Sequence, residues 1–286
     1  MENLFLYILL ALSVLAIADL IVGVSNDAVN FLNSAVGSKA ISFRTIMIVA
    51  SIGIAAGSIF SSGMMEVARK GIFNPELFYF DEIMFIFLAV MITDILLLDF
   101  FNTIGMPTST TVSIVFELLG AALAMSVIKI LAQGDELGTI VNYINNEKAF
   151  QIIIGILLSI FIAFTLGALV QWVTRLWLSF NFLNRSNVAN AAFGGVALAS
   201  ISNFILIKGI KGTAFSEASY SFTRELSLVG YMEANTVLVA LIAFFIWFLI
   251  SLGLLLMRLN LYQVIIAAGT FSLALAFAGN DLVNFI

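Results

Sequence analysis

An all-α polytopic membrane fold is what this sequence predicts. Of its 286 residues, 62% are hydrophobic and only 10% are charged, whereas soluble domains run at roughly half and a quarter. The apolar residues fall in blocks of about 20, the length a helix needs to cross a bilayer. Backbone groups in lipid must be satisfied within the segment, and these blocks are far longer than barrel strands, so they are helices. Phe is abundant, at 27 residues, which suits a lipid-facing surface.

Spans are expected at roughly 4–24, 43–62, 82–101, 108–131, 149–178, 188–208, 233–257 and 261–278. The loops 63–81, 132–148 and 209–232 hold 13 of the 29 charged residues. Lys and Arg are spread over nearly all loops, so the positive-inside rule gives no orientation. Trp172 and Trp177, near the end of a span, read as interfacial anchors. Asn187 and Asn190 read as a helix start.

Two stretches interrupt the apolar pattern. Residues 25–38 (SNDAVNFLNSAVGS) are too polar for a lipid-facing span and too short to cross, so a re-entrant or broken helix is expected there. Residues 102–113 (NTIGMPTSTTVS) carry one of only two prolines and a run of hydroxyls between two apolar blocks. Irregular polar backbone at membrane depth is tolerated only inside protein or beside water, and in transporters it points to the binding site.

The first of these stretches recurs. Ser25-Asn26-Asp27-Ala28-Val29-Asn30-Phe31-Leu32 returns as Gly279-Asn280-Asp281-Leu282-Val283-Asn284-Phe285-Ile286, each copy directly after an apolar span. Apolar identities come cheaply in this composition, but three shared polar positions inside membrane segments do not. Two related half-units meeting at a central site is a common transporter plan. The expected organisation is a first half-unit over 1–131, connecting helices over 132–260, and the start of a second half-unit over 261–286. A helix opening near Asn280 has no room to finish by Ile286, so a continuation is expected.

Wound as a helix, residues 26–37 place Asn26, Asn30, Asn33, Ser34 and Gly37 with Asp27 in an arc of about 120°. Ser25, Asn26 and Asp27 could cap the start of such a helix. Capping accounts for Asn26 or Asp27, but not for Asn30 and Asn33 or for a second copy. An ionisable residue at membrane depth is costly and marks a functional site by default. Asp27 and Asp281 could bind a cation such as sodium through hard oxygens, or carry a proton. Asn offers both donors and acceptors, so it can touch anion and cation together.

Met106-Pro107-Thr108-Ser109-Thr110-Thr111 precedes an apolar helix, with Pro107 suited to its first turn. A helix N-terminus is a ready anion site, and several hydroxyls there suit a tetrahedral oxyanion. Thr110, Ser113 and Glu117 continue one polar face into the helix. Asp19, Asp94, Asp99 and Glu117 are lesser candidates for site or coupling residues, against the plainer reading of buried acids paired within the bundle.

With no Cys and no His, disulfides, Cys/His metal sites, thiol catalysis and histidine bases are excluded. A membrane enzyme acting on phosphate esters would want a nucleophile with a base, or clustered cations, and the spans offer neither. No enzyme activity and no nucleic-acid partner are expected.

At these residues the sequence resembles the inorganic phosphate transporter (PiT) family of sodium- or proton-coupled permeases. The family signature is a G-A-N-D-V-A-N-type motif in each half-unit, followed by a P-x-S-T/S-T/S-H-type motif. Here the copies read Val24-Ser25-Asn26-Asp27-Ala28-Val29-Asn30 and Ala278-Gly279-Asn280-Asp281-Leu282-Val283-Asn284, and the hydroxyl motif reads Pro107-Thr108-Ser109-Thr110-Thr111-Val112. The resemblance implies inverted half-units in a cell (plasma or inner) membrane, with phosphate held between motif helices and hydroxyl hairpins. Asn26, Asn280, Ser109, Thr110 and Thr111 would contact phosphate. Asp27 and Asp281, with Asn30 and Asn284 nearby, would hold the coupling cation. Val112 stands where the family often has His, which with hard oxygen ligands favours sodium over a proton. No cofactor is expected beyond sodium as co-substrate. Another oxyanion such as sulfate shares the local physics, and self-association is left open.

Overall fold

The computed structural model describes residues 2–60, 72–134, 136–179, 185–209, 218 and 226–280. Its helices of seven residues or more are α1 (Glu2–Ser38), α2 (Phe43–Phe60), α3 (Phe80–Ile104), α4 (Thr110–Gln133), α5 (Asn146–Leu178), α6 (Asn187–Phe204), α7 (Leu228–Ala234), α8 (Thr236–Leu256) and α9 (Leu261–Asn280). A π-helical turn, Ile205–Gly209, follows α6. Among the described residues, seven helices are long and apolar enough to cross a membrane (α1, α3, α4, α5, α6, α8 and α9), and α2 is a shorter apolar one. Each expected span overlaps a helix; residues 61 and 62 of the second lie outside the described residues, and 233–257 begins in α7 and continues in α8.

The expectation for residues 25–38 needs correction. They form no separate re-entrant helix, because α1 runs unbroken for 37 residues, about 55 Å at 1.5 Å per residue. Nothing in the stretch forces a break: it holds no proline, and Ser25, Asn26 and Asp27 lie inside the helix rather than at a cap. Asn and Asp weaken helix interiors by competing for backbone groups. Here the Asn26 and Asp27 side chains bond to residues of other segments instead. Helix α1 ends only where Lys39 turns left-handed, at φ 53°.

Residues 102–113 do interrupt the chain. Helix α3 stops at Gly105, which takes φ 70°, a conformation glycine adopts without strain. Gly105 and Met106 donate back to the carbonyls of Asn102 and Phe101, closing the helix end. Ser109 is the N-cap of α4, its side chain accepting from the N–H of Val112. Pro107 therefore precedes the helix and is not in its first turn, a second correction. The cap residue sets the helix start, and Ser109 lies two positions beyond the proline.

The chain divides into two compact units. The first holds described residues 2–29, 72–134 and 136–161. In it α3 packs along α4, with Ile86, Leu98, Ala122 and Ile130 buried. Lys129 binds Glu82 at 2.7 Å and the carbonyl of Leu77 at 2.8 Å, and sits 4.0 Å over the Tyr79 ring. Phe78 packs edge-on against Phe73 and Tyr143.

The second unit holds described residues 30–60 and those from 162 to 280. Helix α2 packs on α9, and α6 on α8. Gly53 and Gly57 form a G-x-x-x-G pair facing Phe271, Ala274, Leu275 and Ala278 of α9, the small-residue contact that lets membrane helices approach backbone to backbone. Gly194 and Gly195 play the same part against Ser251, Leu261, Phe244 and Phe248. Phe31 stacks on Phe277 with centroids 5.1 Å apart. Trp177 donates to the carbonyl of Ala189 at 3.3 Å. Helix α6 does start at Asn187, but its cap is Ser186.

Candidate functional site

Two motifs separated by 76 to 83 residues meet within the first unit. Asn26, 3% exposed, donates from Nδ2 to Asn102 Oδ1 at 2.9 Å. Its Oδ1 accepts the N–H of Thr108 at 2.9 Å. Thr108 lies ahead of α4, where the backbone has no helical partner, so Asn26 supplies the acceptor that a buried N–H requires. Asn102 passes a bond on to the carbonyl of Val22 at 3.3 Å. Beside them the Thr110 hydroxyl donates to Asp27 Oδ2 at 2.9 Å, with Asp27 and Thr110 only 3% and 1% exposed.

The arrangement follows from local structure. Asn26 and Asp27 project from the middle of an unbroken helix, whereas Thr108 and Thr110 straddle the start of α4. The hydroxyl residues therefore stand at the positive end of a helix dipole, against an acid and two amides. Ser109 is exposed and Thr111 half-buried in the same turn. Asn30, one turn beyond Asn26, is exposed. Asn280 closes α9, in the second unit. Asp281 and Asn284 lie outside the described residues.

Asn102 was not among the residues singled out from sequence, although it connects the two motifs. Its signal was available: it opens the polar break at the end of an apolar span. Asp19, Asp94, Ser113 and Glu117 also come together. Ser113 Oγ lies 2.6 Å from Asp94 Oδ1 and 2.8 Å from Glu117 Oε1, and Asp19 faces Asp94. Asp99 is exposed on α3 and takes no part.

These residues form a second polar layer. On α1 and α3 it lies about two turns, or roughly 12 Å, from the Asn26–Asp27 layer, and on α4 it follows Thr110 by one to two turns. A cavity of about 610 Å³ touches both layers, its wall including Thr93, Thr108, Val112, Ser113, Glu117 and Gly120. The wall offers the Glu117 carboxyl and the hydroxyls of Thr93, Thr108 and Ser113, while Asn26, Asp27, Asn102 and Thr110 are not part of it; acids, amides and hydroxyls so grouped can hold an oxyanion and a hard cation together.

Known proteins give the same direction. A candidate phosphate permease of Mycobacterium bovis is 29% identical over 151 residues, 52% of this chain and 26% of that protein. One of Helicobacter pylori is 38% identical over 103 residues, 35% of this chain and 19% of that protein. The matched stretches thus span about a quarter or less of these relatives. The solved structure of a sodium-dependent phosphate transporter superposes with a TM-score of 0.66 at 20% identity, covering 96% of this chain and 65% of that one, a likeness of fold. The PHO4 phosphate transporter family matches residues 23–244. That match takes in the Asn26–Asp27 motif, the hydroxyl run and most of the helices, and the chain belongs to the phosphate transporter family.

Proposed function

We propose that this chain carries out secondary transport of inorganic phosphate, coupled to sodium, by alternating access between inverted half-units. The observation that supports it most directly is the hydrogen-bonded joining of Asn26 and Asp27 to Thr108 and Thr110 beside a cavity. Membership of a transporter family rather than an enzyme family agrees with it, as does the fold likeness to a sodium-dependent phosphate transporter. In this reading Asn26, Ser109, Thr111 and the backbone N–H of Thr110 bind phosphate, the Thr110 hydroxyl being engaged by Asp27, and Asp27 with Asn30 holds the cation that offsets the substrate's charge. The repeat assigns Asn280, Asp281 and Asn284 the same roles in the second copy. Sodium is preferred to a proton because Val112 replaces the family's frequent His.

Labelled phosphate uptake into liposomes tests both parts. Uptake should follow an imposed sodium gradient, and arsenate should compete better than sulfate. Full uptake under a pH gradient in sodium-free buffer overturns the sodium assignment, and preferential competition by sulfate overturns phosphate. Asp27→Asn should abolish coupled uptake while the protein's helicity stays normal, and unchanged uptake with unchanged sodium dependence removes Asp27 from the site.

A further inference from the structure

The second polar layer brings together more acceptors than its own hydrogens can serve. Asp19 is 2% exposed and Asp94 0%. Asp19 Oδ1, Asp94 Oδ2 and Glu117 Oε2 are buried without a hydrogen-bond partner. Among the described residues no Lys or Arg pairs with these three acids.

Ser113 has one hydroxyl hydrogen but touches two carboxyl oxygens, at 2.6 and 2.8 Å. An ionised carboxylate only accepts, so the hydroxyl can fill one contact and leaves the other without a hydrogen. That second contact closes when Asp94 or Glu117 carries a proton. Asp19 lies against Asp94, and its unpartnered oxygen adds an acceptor to the layer without adding a hydrogen.

We propose that Asp19, Asp94, Ser113 and Glu117 form a buried proton-binding site that takes up and releases protons through the cavity beside α3 and α4. The titratable groups that bear on the site are these acids themselves, one each from α1, α3 and α4. Glu117 and Ser113 lie on the cavity wall, so the entering proton meets the Glu117 carboxylate first. Glu117 then gives a proton to Ser113 Oγ as Ser113 gives its own hydrogen to Asp94. Only O–H bonds form and break, and the net movement is one proton inward. This site does not depend on phosphate being the substrate.

Infrared spectra of the whole purified protein in phosphate-free lipid vesicles provide the test, read in the carbonyl-stretch region of protonated carboxylic acids. At neutral pH the wild type should give such a band, shifted in D2O. Asp94→Asn and Glu117→Gln should each remove a component of it, and Ser113→Ala should move its frequency by deleting the bridge. If Asp94→Asn does not fold, Glu117→Gln and Ser113→Ala still decide. Spectra unchanged in both of those overturn the site. A band that disappears as sodium is raised at constant pH also overturns it, because the ligand is then a metal cation. Persistence of the band in sodium supports it.

Discussion

Helix α4 meets α1 and α3 through carboxyls, amides and hydroxyls, whereas α9 meets α2 backbone to backbone across Gly53 and Gly57. In lipid no hydrophobic force draws helices together, so close packing and interhelical polar bonds are the means available. The second unit uses close packing, and an added methyl group at Gly53 would lie 2.7 Å from the Phe271 carbonyl and 2.9 Å from Ala274 Cβ. The first unit uses polar bonds, and its glycines at 105, 120 and 134 have nothing within 4 Å of an added methyl. Buried acids and amides cost more than apolar packing. A protein that places them where glycine and alanine would pack as well is retaining chemistry there, together with the space of a cavity.

The sharpest way to break this contrast is Gly57→Val. Its Cβ would collide with the Leu275 carbonyl and lie 2.7 Å from Ala278 Cβ, and neither backbone can move aside cheaply. Overpacking costs roughly 1–3 kcal/mol and occasionally more, so thermal unfolding in detergent should begin many degrees lower. An unchanged midpoint means that α2 and α9 are not held by close approach. Thr110→Val is comparable in size, keeping shape while removing the hydrogen donated to Asp27. A hydrogen bond to a charged group contributes about 1.5–3 kcal/mol, so the apparent affinity for the transported ions should fall roughly ten- to a hundredfold with folding largely retained. Unchanged affinity separates Thr110 from the site. The smallest effect expected is at Gly120. Gly120→Ala meets open space and should raise stability by about 0.5–1 kcal/mol through helix propensity. A loss of stability there means that the cavity side is packed as tightly as the glycine contacts of the second unit.

Much of this was legible before the fold. Each expected span overlaps a helix, and Asn26, Asp27, Thr108 and Thr110, picked out by repetition and by hydroxyl density, lie in one hydrogen-bonded cluster. The break at 25–38 was misread because polarity was taken for irregular backbone. Polar side chains end a helix when they compete for its own backbone, and Asn26 and Asp27 are instead engaged by Asn102, Thr108 and Thr110. Asn102 was passed over because a single Asn at a span end looks the same whether or not it has a partner.

The sequence by itself determined helical, membrane-spanning character, because blocks of about 20 apolar residues leave no other way to satisfy a backbone in lipid. It also determined which chemistry was excluded, since a chain without His or Cys has no imidazole base and no thiol. Only the tertiary structure decided which of them meet. Asp19, Asp94 and Glu117, like Asp99, were separate acids on three helices until α1, α3 and α4 packed together. That packing turned Asp99 outward and set Ser113 between Asp94 and Glu117. Helical periodicity places a residue on a face of its own helix, but which neighbour that face meets depends on contacts between segments far apart in the chain.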